Sequence, residues 1–332
     1  MECALSLPKT SSPPWVRALM IALLVFALIV IGLHWLPPLR TVGSSGAFAP
    51  PVIHMNLEGI TLDEISGLCF SRMHPGHIWV HQDDINDPRL YRFDASGNHQ
   101  QTVLINGVLP EDWEDIALGP LPDGSDFGIF IGDIGDREEN EPDFQVVVID
   151  ERDTLTSNQV APVRIVDALW PGGMGRNCEG LMVSQISGDI FLMTRSSNGL
   201  SRMFRVPFAD WTAEGGESPT AIFVGLFQLS QLGTETGLLD DCEVTAADFD
   251  PGMRTLALRT KHFVYLYALS GDPTAALFST TPFAMLSTAV EPQGEAVTFG
   301  LDGRDVFTAS EGSDLILRFA RNDPPNDGVT LH

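Results

Sequence analysis

The stretch Asp112-Trp-Glu-Asp-Ile-Ala-Leu-Gly-Pro120 sets three acids directly before a short apolar run and a turn. Looser copies recur along the chain. They begin at Glu64 (EISGLCFS), Glu114 (EDIALGP), Glu179 (EGLMVSQ), Glu243 (EVTAADFD) and Glu295 (EAVTFG). A glycine-bearing turn follows each first run, as at Asp123-Gly124, Ser187-Gly188 and Asp302-Gly303. Second and third apolar runs come next, for example residues 127–131 and 144–149. Runs of four to six Val, Ile, Phe and Leu residues bounded by such turns read as β-strands. Residues 101–105, 162–166, 221–224 and 274–278 supply a fourth strand to the first four copies.

The fifth copy has no fourth strand before the chain ends. Residues 52–57 precede the first copy and alternate as a strand does, so they can complete the fifth unit. Closure of this kind hides the sheet edges of a ring. The copies start 50, 65, 64 and 52 residues apart, the spacing of propeller blades with loop insertions. The expectation is an all-β fold, a five-bladed β-propeller of four antiparallel strands per blade over residues 51–322. Six blades follow if a 64- or 65-residue spacing hides two units.

In a propeller the start of each first strand and the end of each second strand lie on one face. That face collects Glu64, Glu114, Asp115, Glu179, Glu243 and Glu295 from the strand starts. From the second-strand ends it collects Asp83, Asp84, Asp133, Asp136, Arg195, Arg259, Lys261, His262 and Glu311. Converging carboxylates repel one another unless cations, protons or Arg and Lys offset the charge. Hard oxygen ligands from several strands suit Ca²⁺ or Mg²⁺. The expected metal ligands are Glu64, Glu114, Asp133, Glu179, Glu243 and Glu295. Beside such a metal, Arg195 and Lys261 would hold an anionic group, and Asp115, Glu114 or Asp133 would serve as general base on metal-activated water. The competing reading is architectural: an acid at a strand start can bond backbone N–H groups of the next blade, and residues encoded in every repeat are often structural. Asp133 and Asp136, in Gly132-Asp-Ile-Gly-Asp136, are particular to one blade. By that argument they are better candidates for chemistry than the repeated Glu, although Asp side chains also stabilise glycine turns.

Composition bounds the partners. The chain has 332 residues, 44 acidic against 19 basic, and a net charge of −25. Phosphate binding relies on Lys and Arg, which argues against nucleic acid. Residues 18–33 are uninterrupted by any charged or polar side chain, and the run continues through Leu36 between Trp15 and Trp35. At about 1.5 Å per residue it nearly spans a hydrocarbon core of about 30 Å. A small-x-small cleavage site occurs only far downstream at Ala47-Phe-Ala49, which favours an uncleaved signal anchor. Residues 1–17 would then be cytoplasmic, 18–36 a single transmembrane helix and 37–50 a Pro/Gly/Ser linker. The propeller would be periplasmic or extracellular, with residues 323–332 as a tail. The four cysteines show no CxxC spacing. Cys178 and Cys242 each precede a repeat Glu and are either bridged or free.

The pattern Trp113-Glu-Asp-Ile-Ala117 followed by Gly132-Asp-Ile-Gly-Asp136 resembles a group of bacterial secreted propellers. More distantly, the Glu-initiated strands resemble the phytase-like and gluconolactonase-like propellers. That resemblance implies channel-mouth carboxylates holding Ca²⁺ or another divalent metal, and hydrolysis of phosphoesters or lactones. Those families usually have six blades. Two functions therefore stand at this level. One is a membrane-anchored, metal-dependent hydrolase of a small anionic ester or lactone. The other is a non-catalytic propeller that binds a protein of the cell envelope. A sugar-binding or glycosidase propeller is a third, and needs two carboxylates at a defined separation. No GxSxG elbow or Walker loop is present.

Overall fold

A computed structural model describes residues 46–83, 87–229, 241–269, 282–288 and 290–322. The expected membrane span, Cys3, Asp84, the C-terminal tail and the strand expected over 274–278 lie outside them. Among the described residues no helix is long and apolar enough to cross a membrane.

Five antiparallel sheets form a ring of blades. Blade one comprises Ile65–Phe70, Ile78–Gln82, Arg89–Phe93 and His99–Ile105. Blade two comprises Trp113–Pro120, Phe127–Asp133, Asp143–Asp150 and Arg164–Leu169. Blade three runs through Cys178–Val183, Ile190–Thr194, Leu200–Val206 and Ile222–Gln228, and blade four through Ala246–Phe249, Thr255–Arg259, Phe263–Ala268 and Ala284–Ser287. In blade five, Gln293–Phe299, Val306–Glu311 and Leu315–Phe319 are completed by Val52–Asn56, which pairs antiparallel with Leu315–Phe319. The N-terminal strand thus supplies the outer strand of blade five and closes the ring as expected.

The long spacings contain insertions and not a sixth blade. Between the third and fourth strands of blade two, a 3₁₀ turn (Glu151–Leu155) leads into Gln159–Val160, which adds a short parallel strand to the outer edge of blade one. In blade three the insertion carries a helical turn, Phe208–Trp211. Among the described residues the outer strand of blade four is Ala284–Ser287, paired with Phe263–Leu266. Its Ala284 and Leu286 alternate inward against the blade, as the two-residue period of a strand requires.

The core lies between blades. Every inner strand packs against the inner strand of the next blade, all the way round. That explains why Ile65–Phe70 and Cys178–Val183 are buried at every position: both sides of these strands face protein, so their apolar runs do not alternate. Between blades two and three, Trp170 stacks between Phe144 and Phe204, with ring centroids 4.4 and 5.2 Å away. Trp211 packs edge-on to Phe130 in the same layer.

Candidate functional site at the channel mouth

The inner strands do not enter the ring in the register that their Glu residues suggest. In blade two the pairing slips at Glu114, between Trp113 and Asp115. It slips at Glu179 in blade three and at Glu295 in blade five. In blade one the equivalent slip falls at Ser66, between Ile65 and Gly67. A bulge turns its extra residue out of the ladder and re-aims the side chain. Alignment on these bulges puts Ser66, and not Glu64, beside Glu114 and Glu179. In blade four Thr245 holds this place, because Ala247 and Leu181 donate to the same Asp115 oxygen. The two hydroxyls do the architectural work: Ser66 donates to the Glu114 carbonyl at 2.5 Å, and Thr245 to the Gly294 carbonyl at 2.8 Å. Glu64 and Glu243 sit two residues upstream.

The result is a cavity of about 420 Å³ on the mouth of the channel. Seven carboxyl groups line it: Glu64, Asp83, Asp112, Glu114, Glu179, Glu295 and Glu311. Arg137 and Arg195 line it too, with Ser66, Asn177 and Gln293. Glu243 joins the group through Arg195, whose guanidinium donates to Glu243 at 2.8 Å and to Glu179 at 3.1 Å. Asn177 donates to Glu179 at 3.2 Å and accepts from the Asp136 N–H at 3.1 Å, tying the Gly132–Asp136 turn to the mouth.

The acids meet in pairs. Glu114 is 7 % exposed and Glu179 5 %. Burial, then the Glu179 charge, pushes the Glu114 carboxyl well up. Burial also raises Glu179, against the pull of Arg195. Asp83 and Asp112 repeat the arrangement. Asp83 is pushed up to about 7, first by burial and then by Asp112. Burial raises Asp112 as well. Glu295 is pushed up to about 8 by burial and by Glu179. Like charges this close cannot all ionise without a counter-charge.

Not every expected site residue is here. Asp115 is fully buried behind the mouth. One oxygen accepts from the Ile116 N–H at 2.8 Å; the other accepts from Leu181 at 2.9 Å and Ala247 at 3.2 Å. It clasps the inner strands of blades two, three and four. Burial pushes its carboxyl up, against those three donors. Asp248 makes a similar clasp to the Phe299 N–H and the Thr298 hydroxyl. Asp133 accepts from the N–H groups of Glu111 and Asp112 at 2.7 to 3.1 Å, and Asp136 from that of Glu141 at 2.9 Å. These blade-two acids therefore act as backbone anchors. Lys261 does not line the cavity; its carbonyl accepts from the Gly294 N–H. Arg259 is buried against Glu291 at 2.6 Å, under Gly294, where any Cβ would lie 1.7 Å from the guanidinium.

Asp112, Arg137, Asn177 and Gln293 were not singled out by the sequence reading. Asp112 stood in the opening motif, and Ser66-Gly-Leu matches Glu179-Gly-Leu, so two of the signals were present. Cys69 and Cys178 are free and buried, and Cys242 is buried; Cys178 donates to the Met193 carbonyl at 3.2 Å. Among the described residues no group of three or more His, Cys, Asp or Glu is placed to hold a metal ion directly. Comparison of the chain with known protein families and with curated proteins finds no match to either.

Proposed function

We propose that the protein is a binding propeller whose channel mouth takes a divalent cation, Ca²⁺ or Mg²⁺, through the cation's own water shell. The observation that carries this reading is Glu114. Its carboxyl is buried, opens into the cavity and faces the charge of another buried carboxyl, Glu179. A buried carboxylate without an N–H or cationic partner is costly. A cation in the cavity would offset the charge of both carboxyl pairs. The carboxyls are not gathered for direct coordination by three of them, but a hydrated ion fits a 420 Å³ space. Mg²⁺ in particular keeps several waters when bound.

The binding reading is favoured over the hydrolase. Of the two cations expected to hold an anionic ester beside the metal, Arg195 is committed to Glu179 and Glu243 and Lys261 lies off the lining, which leaves Arg137 among seven carboxyls. Placement at the cell membrane, anchored by residues 18–36 and open to a protein of the envelope, rests on the apolar run alone. Calorimetric titration of the full-length chain with CaCl₂ and MgCl₂ at pH 8 tests the site. Binding should appear and should weaken about tenfold or more in Glu114→Gln, the loss of about 1.4 kcal/mol. No binding of either ion would sink the proposal. Metal-dependent turnover of a phosphoester, lactone or aryl ester that is lost in Glu114→Gln would restore the hydrolase.

A further inference from the structure

A second cavity, of about 580 Å³, opens on the other side of the Gly132–Asp136 turn. Gly135 is the partition. Its backbone lines this cleft, while a Cβ built on it would point the opposite way, 2.2 Å from the Asp112 carboxylate and 2.5 Å from that of Glu114 in the mouth. The two cavities share a wall one backbone thick and differ in chemistry. Nearly everything lining the mouth is polar. The cleft has an apolar side made by Val108, Leu109, Phe144 and Ile165. The charged part of its lining is acidic throughout: Glu111, Asp133, Glu141 and Asp143. No Lys, Arg or His is among its lining residues.

We propose that this cleft binds a small organic cation with an apolar body, an aryl- or alkylamine. Three features carry the assignment. The volume falls within the range of about 300–1,000 Å³ typical of small-molecule sites. Leu109 stands on the lip 75 % exposed, while Val108 and Phe144 beside it are buried. An apolar ligand body would cover Leu109 and extend that buried surface. Asp133 is held rigid by the Glu111 and Asp112 N–H groups, so its charge is oriented before a ligand arrives. Mutual repulsion of four carboxylates with no basic residue between them is relieved by a ligand ammonium. An anion, or a bare metal ion that leaves the apolar side wet, does not use both parts of the lining.

The test is calorimetric titration of the full-length protein with 2-phenylethylamine, with phenylacetate as the same body carrying the opposite charge. The amine should bind and phenylacetate should not. Glu141→Gln combined with Asp143→Asn, both on exposed positions, should weaken amine binding about fivefold, the expectation for two partly exposed charges. Leu109→Ser should weaken it separately. Glu295→Gln, in the mouth, should leave it intact, and the Glu141/Asp143 double variant should leave Ca²⁺ binding intact. Equal binding of amine and phenylacetate would overturn the proposal. So would no binding of the amine, or loss of amine binding in Glu295→Gln without loss in the double variant. Failure of Ca²⁺ to bind the mouth would leave the cleft assignment standing.

Discussion

Replacing Asp115 separates an architectural acid from a functional one. Its two oxygens satisfy three backbone N–H groups on three blades, at zero exposure. In Asp115→Ala all three donors are left in the interior. At about 1–3 kcal/mol for each unsatisfied group, partly offset by no longer burying a carboxyl, the cost is about 3–6 kcal/mol. That is a large share of the about 5–15 kcal/mol that holds a typical domain together, so the milder Asp115→Asn is the informative variant. Its carbonyl oxygen can still accept from Leu181 and Ala247. Its NH₂ must then face the Ile116 N–H, donor against donor, for a loss of about 1–3 kcal/mol. Urea unfolding followed by the fluorescence of the buried Trp113 and Trp170 would measure it. Ca²⁺ titration of the same variant should return the parent affinity, because Asp115 does not line the mouth. A variant with parental stability that no longer binds Ca²⁺ would refute the reasoning and return Asp115 to the site.

Two further outcomes follow from the same geometry. Asp83 and Asp248 are raised to about 7 and Glu295 to about 8, so the folded chain keeps protons that the unfolded chain loses near pH 4. Stability should therefore fall as pH rises from about 4 to about 8, by at most about 1.4 kcal/mol per pH unit for each retained proton and by less for the half-exposed Asp83; thermal melts across that range check the sign, and a rise in stability would contradict it. Gly135→Ala would push the Asp112 and Glu114 carboxyls apart; it should weaken Ca²⁺ binding several-fold while changing stability by about 1 kcal/mol, since the displaced atoms are side-chain ends, and unaltered binding would show that the two carboxyls do not act together.

The blade pattern was legible because each inner strand is apolar throughout, each second strand follows a glycine turn, and the missing fourth strand had a matching segment at the other end. Glu114, Glu179 and Glu295 were legible at the mouth because they occupy the same bulge. Glu64 and Glu243 stand two residues before that position, held by Ser66 and Thr245, yet Glu64 still lines the mouth and Glu243 reaches it through Arg195. Asp115, Asp133 and Asp136, the expected chemical acids, each accept from backbone N–H groups. Nothing in their composition tells whether a carboxylate meets solvent or a backbone N–H.

The sequence by itself determined the ring, its antiparallel strands and its closure by residues 52–57, while the structure decided that the 64- and 65-residue spacings hold no sixth blade. The strands and their closure depend on local periodicity and turn chemistry, which neighbouring residues carry. Only the tertiary structure decided between Glu114 and Asp115, adjacent in the chain and opposite in role. The bulge turns Glu114 into the cavity, toward Glu179, while Asp115 reaches Ala247, 132 positions away. Contacts across blades are set by the ring as a whole, and no local pattern encodes which of two neighbouring acids will find them.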